Sequence, residues 1–281
     1  MHQRDMARPA GSSPALRRSD CGLTAFRLKV IGAVFMALSV ASTTLMPALL
    51  GPSASSDMLS LTEMVLCEVV SWCAVPIYAW LLVEGFRRTR NVWAYAGRLA
   101  ALAVVCEVPY DLTTSGRVFD MSSQNPVFGL LIALIVLALL DWVGERGGGV
   151  RAPAAGASPA VPASASRPSA AGGSVARALV CLAIVVAGVL WNILMNVGLR
   201  QHVLYVGALT LGFALVFRYL AARENTMMIT AGLLGAMMLI VPAVGVIFLH
   251  YRNGEPGCAR PWTRWAFYAV YPVLLLVGCL F

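Results

Sequence analysis

Charged side chains crowd the end of one apolar run in this chain. Val83-Glu84-Gly85-Phe86-Arg87-Arg88-Thr89-Arg90 follows the run from Cys73 to Leu82. On a helix Glu84 stands one turn before Arg88, so the two form either a surface ion pair or part of a polar site at the membrane rim. The arginines beside the run orient that helix with this end toward the cytosol. More polar groups lie inside apolar stretches: Glu63, Glu68, Arg98 and Glu107, with Asn192, Asn196 and Arg200 at every fourth residue. An ionised group in hydrocarbon costs about 2.5–3.5 kcal/mol on insertion scales, so such groups either pair between helices or line a polar cavity. In Glu107-Val108-Pro109-Tyr110-Asp111, Pro109 removes a backbone donor, and the helix is expected to stop or kink there. Glu107 and Asp111 then flank either an ordinary helix end or the lip of a site. Arg98 and Glu107 are nine positions apart and face opposite sides of a straight helix.

The elements that position these groups are membrane helices. Hydrophobic residues make up 59% of the 281 and charged residues 12%, and the mean hydropathy is +0.77, outside the range of a soluble domain. Crossing a ~30 Å hydrocarbon core takes about 20 helical residues. By that measure the fold class is all-α, a polytopic integral membrane bundle of about eight transmembrane helices near 29–50, 61–84, 92–110, 126–143, 177–198, 202–220, 227–249 and 265–281. Residues 1–25 read as a basic disordered cytosolic tail and 26–143 as a first four-helix half. The Gly/Ala/Pro/Ser segment 144–174 is a flexible linker, and 175–281 is a second four-helix half without sequence repeat of the first.

Arginine and lysine placement sets the topology. With the N terminus in the cytoplasm, Arg117, Arg200, Arg252, Arg260 and Arg264 fall outside and the other 16 of 21 basic residues fall inside. Both termini are expected on the cytoplasmic side of an inner or plasma membrane. The net charge of +8 follows from this bias, so no nucleic-acid partner is expected. Cys67, Cys73, Cys106, Cys181 and Cys279 lie in apolar runs and read as packing residues, and His2, His202 and His250 have no zinc-like spacing, so no metal site is expected.

Read in order, several blocks resemble the TraX family of polytopic membrane proteins, known for acetylating the N terminus of conjugative pilin. They are Leu28-Lys29-Val30-Ile31, Glu84-Gly85-Phe86-Arg87-Arg88-Thr89-Arg90-Asn91, Tyr95, Arg98-Leu99, Glu107-Val108-Pro109-Tyr110-Asp111 and Asn125. Near the C terminus Tyr251-Arg252-Asn253-Gly254-Glu255-Pro256-Gly257 and Phe267-Tyr268-Ala269-Val270-Tyr271-Pro272 resemble the family's Tyr-Asn-Gly loop and closing Phe-Tyr-x-x-Tyr-Pro block. The resemblance implies acetyl-CoA as cofactor and pilin or another surface protein as partner; Arg87, Arg88 and Arg90 either contact the phosphates of such a cofactor or only set the topology.

The departures bear on catalysis, because acetyl transfer to an amine needs a group that takes its proton. The family's Asp-His pair falls on Ser39-Val40, its second histidine on Val273-Leu274, an arginine near Trp72 and an aspartate on Asn196. Glu84, Glu107 and Asp111 are the carboxylates set beside family blocks, while Glu63, Glu68 or Glu107 replaces the imidazole only if burial raises its pKa. Three readings follow: an acetyltransferase, a catalytically silent assembly protein of a conjugation or surface system, and a small-solute transporter that would use the polar face of the fifth span.

Overall fold

In lipid every backbone N–H and C=O must find its partner within the protein, so apolar runs of this length fold as helices. A computed structural model of the chain describes residues 22–50, 58–147, 170–200, 204–237, 240–253, 255, 257 and 261–280. Its helices are α1 (Ala25–Thr43), α2 (Leu45–Leu50), α3 (Met58–Ser71), α4 (Ala74–Arg88), α5 (Val92–Ser115), α6 (Pro126–Gly147), α7 (Ala170–Leu194), α8 (Val206–Tyr219), α9 (Glu224–Met237), α10 (Val241–His250) and α11 (Pro261–Gly278). Two-residue strands β1 (Leu199–Arg200) and β2 (Leu204–Tyr205) pair antiparallel between α7 and α8. The architecture is the expected all-α membrane bundle. Five helical stretches, Ala25–Thr43, Met58–Arg88, Val92–Ser115, Pro126–Arg146 and Gly173–Leu194, are long and apolar enough to cross a bilayer.

The eight expected apolar segments occur in order, but three are broken. The first divides at Thr44. The second divides at Trp72-Cys73, where Pro76 has no N–H to offer the Trp72 carbonyl and Val75 N takes that acceptor at 3.1 Å. At Pro109 the expected stop does not occur: α5 continues to Ser115 and ends on Gly116 in the left-handed region at φ 68°. One missing backbone donor is tolerated inside a packed membrane helix. The ends of the 144–174 segment are helical, since α6 runs to Gly147 and α7 begins at Ala170. Residues 148–169 and 1–21 lie outside the described residues.

The seventh segment folds back on itself. At about 1.5 Å per residue α9 reaches about 21 Å and α10 about 15 Å, and between them Ile240 adopts φ 66°. The two pack back to back: a Cβ on Gly235 would stand 2.5 Å from Ala243 N, so only glycine permits the approach. Gly245 in turn lies against the Cys73 carbonyl and the Pro76 ring of the second segment. Arg252, just past α10, pairs at 3.3 Å with Glu224 at the start of α9. The helices therefore form a re-entrant hairpin that enters and leaves at one end of the bundle.

This hairpin changes the topology. The loop after α10 is zipped to the chain entering α1: Leu23 N donates to Tyr251 O at 2.8 Å, Asn253 N to Leu23 O at 3.1 Å and Ala25 N to Glu255 O at 2.9 Å. Arg252 thus lies at the end where α1 begins, not across the membrane from it as the hydropathy pattern implies. From there α11 runs parallel to α1. Phe267 packs on Phe26 at 5.6 Å, and at the far end Gly278 reaches Val40, Thr44 and Thr113. The described N- and C-terminal ends therefore lie at opposite ends of the bundle. Hydropathy averaged over 227–249 sees one apolar run and misses the turn at its middle.

Both halves share one core. α8 packs on α4 and α6, α10 on α4, and α11 on α1 and α5. Phe213 and Phe217 of α8 stack at 5.9 Å, both buried.

Two outcomes test this arrangement. Gly245→Leu drives a side chain into the Cys73 backbone and is expected to cost about 1–3 kcal/mol, measured as a fall in thermal stability in detergent. Single-cysteine variants at the exposed residues Arg90, Glu255 and Val118, treated with a membrane-impermeant thiol reagent, place Glu255→Cys on the side of Arg90→Cys and opposite Val118→Cys. Glu255→Cys reacting together with Val118→Cys contradicts the hairpin.

Candidate functional site

A cavity of about 660 Å³ lies between α1, α3, α4, α5, α6, α8 and α11, well within the size range of small-molecule sites. Its charged lining is divided. Lys29, Arg88 and Arg98 stand toward one end, and Glu68 is the one carboxylate in the lining among the described residues. Lys29 and Ser39, both in the lining, are ten residues apart on α1, or about 15 Å along its axis.

The cations are held by aromatic faces and one ion pair. Lys29 Nζ lies 5.5 Å from the centre of the Phe267 ring and the Arg98 guanidinium 5.8 Å from that of Tyr95. Arg88 bonds Glu84 at 2.6 Å across one turn of α4. Glu84 is therefore a surface ion-pair partner that steadies Arg88, and it does not line the cavity. Gly85 belongs to the same rim. A Cβ there would stand 3.0 Å from the Tyr95 hydroxyl, so glycine lets α5 close on α4.

Glu68 is 3% exposed, and both of its oxygens are bonded. Oε2 accepts from Ser39 Oγ at 3.0 Å and Ser42 Oγ at 3.0 Å, and Oε1 accepts from Trp72 Nε1 at 3.3 Å. Ser39 and Ser42 lie three apart on one face of α1, and Trp72 follows Glu68 by one turn, so helical spacing brings three donor groups to one carboxylate, with the Ser42 proton shared with the Ser39 carbonyl at 2.8 Å. Two of these donors, Ser39, with Val40 beside it, and Trp72, come from positions at which the chain departs from the family pattern. Glu68 brings to that place an acidic group that α1 itself lacks.

The structure sorts the other expected residues. Lys29, Gly85, Arg88, Tyr95, Arg98, Tyr268 and Tyr271 converge on the cavity. Of the arginine cluster only Arg88 does so: Arg87 Nη2 donates to Phe217 O at 3.1 Å and ties α4 to α8, and Arg90 is exposed. Phe86 lies under Arg218, and Pro272 is inside α11.

Glu107, Asp111 and Asn125 form a separate group toward the other end of α5. Glu107 accepts from the Asn125 side-chain amide and backbone N, Asn125 donates to Ala103 O at 2.8 Å, and Asp111 accepts from Asp120 N at 2.9 Å. Tyr110 and Ser123 meet at 3.1 Å. This group pins the 116–125 loop on α5, with Pro109 inside the helix between its members. Within that loop the Ser122 hydroxyl and then its backbone N–H hold the Asp120 carboxyl below its ordinary range. Neither Glu107 nor Asp111 lines the cavity.

Asn253 accepts from Glu255 N at 3.0 Å in the loop zipped to α1, and Gly254 lies outside the described residues. Val40 lines the cavity and Leu274 does not. The expected polar face of Asn192, Asn196 and Arg200 is not continuous, because α7 ends at Leu194 and Asn196 turns the chain at φ 49°. Asn192 is buried and bonds Gly188 O at 2.7 Å.

Sequence reading named Glu68, Ser39 and Trp72 separately but did not join them, and Tyr78 escaped notice. The i, i+3 serines on α1 and the i, i+4 Glu–Trp pair were the available signal. No curated protein and no solved structure matches the chain. The model of the family described as TraX protein matches residues 54–280, which contain most of the cavity lining and every block from Gly85 to Pro272. With that match over most of its length, the chain belongs to the TraX family.

Proposed function

We propose that this protein is a conjugation-related acetyltransferase of the cytoplasmic membrane, transferring acetyl from acetyl-CoA to an amine of pilin or another surface protein. The observation that carries the reading is the buried carboxylate of Glu68, set in a cavity whose other charged lining residues are all cations.

The orientation comes from charge. The end bearing Arg87, Arg88, Arg90, Arg98 and, after the hairpin correction, Arg252 faces the cytoplasm, since basic residues are retained on that side. A donor made in the cytoplasm then meets Lys29, Arg88 and Arg98 first. These three residues suit the phosphates of coenzyme A, and the aromatic walls suit its uncharged arm. When bound, acetyl-CoA supplies an acetyl group activated as a thioester. Glu68 takes the proton that the acceptor nitrogen gives up as its bond to the acetyl carbon forms. Ser39, Ser42 and Trp72 aim the carboxylate and keep it from collapsing onto the backbone of α1. Glu68 thereby does the proton-accepting work that Val40 and Leu274, both without an imidazole, cannot do.

The absence of both histidines also favours a second reading, a silent assembly protein that keeps the fold and its loops. Purified protein incubated with labelled acetyl-CoA and a pilin-like peptide separates the two. The acetyltransferase reading expects a gain of roughly 42 Da per modified peptide. It also expects a loss of about 10²–10⁴-fold in kcat for Glu68→Gln and a raised KM for acetyl-CoA in Arg98→Ala. No transfer by the wild-type protein, under conditions where a histidine-bearing family member works, leaves only the assembly reading.

A further inference from the structure

Acetyl is an acyl group of only two carbons, and a site shaped for it alone would close around it. The cavity does not close at Glu68. Leu102 on α5, Val127 and Leu130 on α6, and Val206 and Thr210 on α8 form a further wall of the same space. Depth can be read along the helices. Both Lys29 and Tyr95 line the cavity, and from them Ser39 lies about 15 Å along α1 and Leu102 about 10 Å along α5, so the lining extends inward on both helices from the end that carries the cations. The wall presents hydrocarbon. The single hydroxyl among these five side chains, that of Thr210, donates to Val206 O of its own helix at 2.7 Å and so offers its methyl to the space.

We infer that the acyl site takes a short hydrocarbon chain longer than acetyl, its carbonyl beside Glu68 and its tail against Leu102, Val127, Leu130, Val206 and Thr210. This rests on the acyl-transfer reading and fixes its substrate class. Burying a methylene against such a wall is worth about 0.8 kcal/mol, close to fourfold in affinity, so two added methylenes bring about ten- to fifteenfold. The chemistry is unchanged: the bond to the acceptor nitrogen forms, the bond from acyl carbon to sulfur breaks, and the proton that Glu68 takes from the amine passes on to the departing thiolate, which leaves as the thiol.

The test measures binding and turnover with acetyl-, butanoyl- and hexanoyl-CoA on the full chain in detergent. Calorimetry is expected to give a Kd that falls about ten- to fifteenfold from butanoyl to hexanoyl, with kcat/KM following. Leu130→Trp fills the wall and brings the hexanoyl-to-acetyl ratio near one. Leu102→Phe serves as a second filling variant if the first does not fold. Equal Kd for acetyl and hexanoyl, or a ratio that neither variant changes, overturns the inference while leaving acetyl transfer standing. No binding of any of the three thioesters overturns both.

Discussion

A carboxylate kept inside a membrane bundle is the constraint on which the rest of this structure depends. Left alone in hydrocarbon, Glu68 would carry an insertion cost of about 2.5–3.5 kcal/mol and would draw water into the seam between helices. Two serines on α1 and an indole on the turn after it offset that cost by supplying donors to both oxygens. Those bonds join α1 to the second segment close to the break at Trp72-Cys73. The same break gives Gly245 a carbonyl to rest on, so the carboxylate seam and the re-entrant hairpin meet on one stretch of backbone.

The hairpin in turn fixes what faces what. Because α9 and α10 return to the end they entered, the Tyr251–Glu255 loop can pair with Leu23 and Ala25, and α11 starts beside Phe26 and Lys29. Without that return, Tyr268 and Tyr271 would enter from the far end and could not share a cavity with Arg88 and Arg98. The family's sequence blocks therefore divide by task. One set lines the cavity, one pins the 116–125 loop through Asp111 and Asn125, and one ties the last loop to the entry of α1.

Much of this was legible in the sequence, and the failures have physical reasons. Composition and run length gave the membrane bundle and the order of its segments, because burial in lipid is read directly from hydropathy. The seventh segment misled, since an apolar run of crossing length and an apolar hairpin have the same average; only Ile240-Val241-Pro242 marks the turn. Pro109 misled in the opposite way, because neighbouring helices hold α5 together through it. The polar side chains of the spans were visible singly, but which of them converge depends on how helices distant in sequence pack. Glu107 and Glu68 looked alike on paper, and only the fold puts one under a loop and the other in the cavity.

The seam between α1 and Glu68 can be tested by a double-mutant cycle on the unfolding free energy in detergent, with Glu68→Ala, Ser42→Ala and the double variant. The account predicts a coupling of about 0.6 kcal/mol, the average for hydrogen bonds between membrane helices, which reach about 1.7 kcal/mol at most. Additivity to within about 0.3 kcal/mol would mean that the serine and the carboxylate do not meet, and the site as described would not exist.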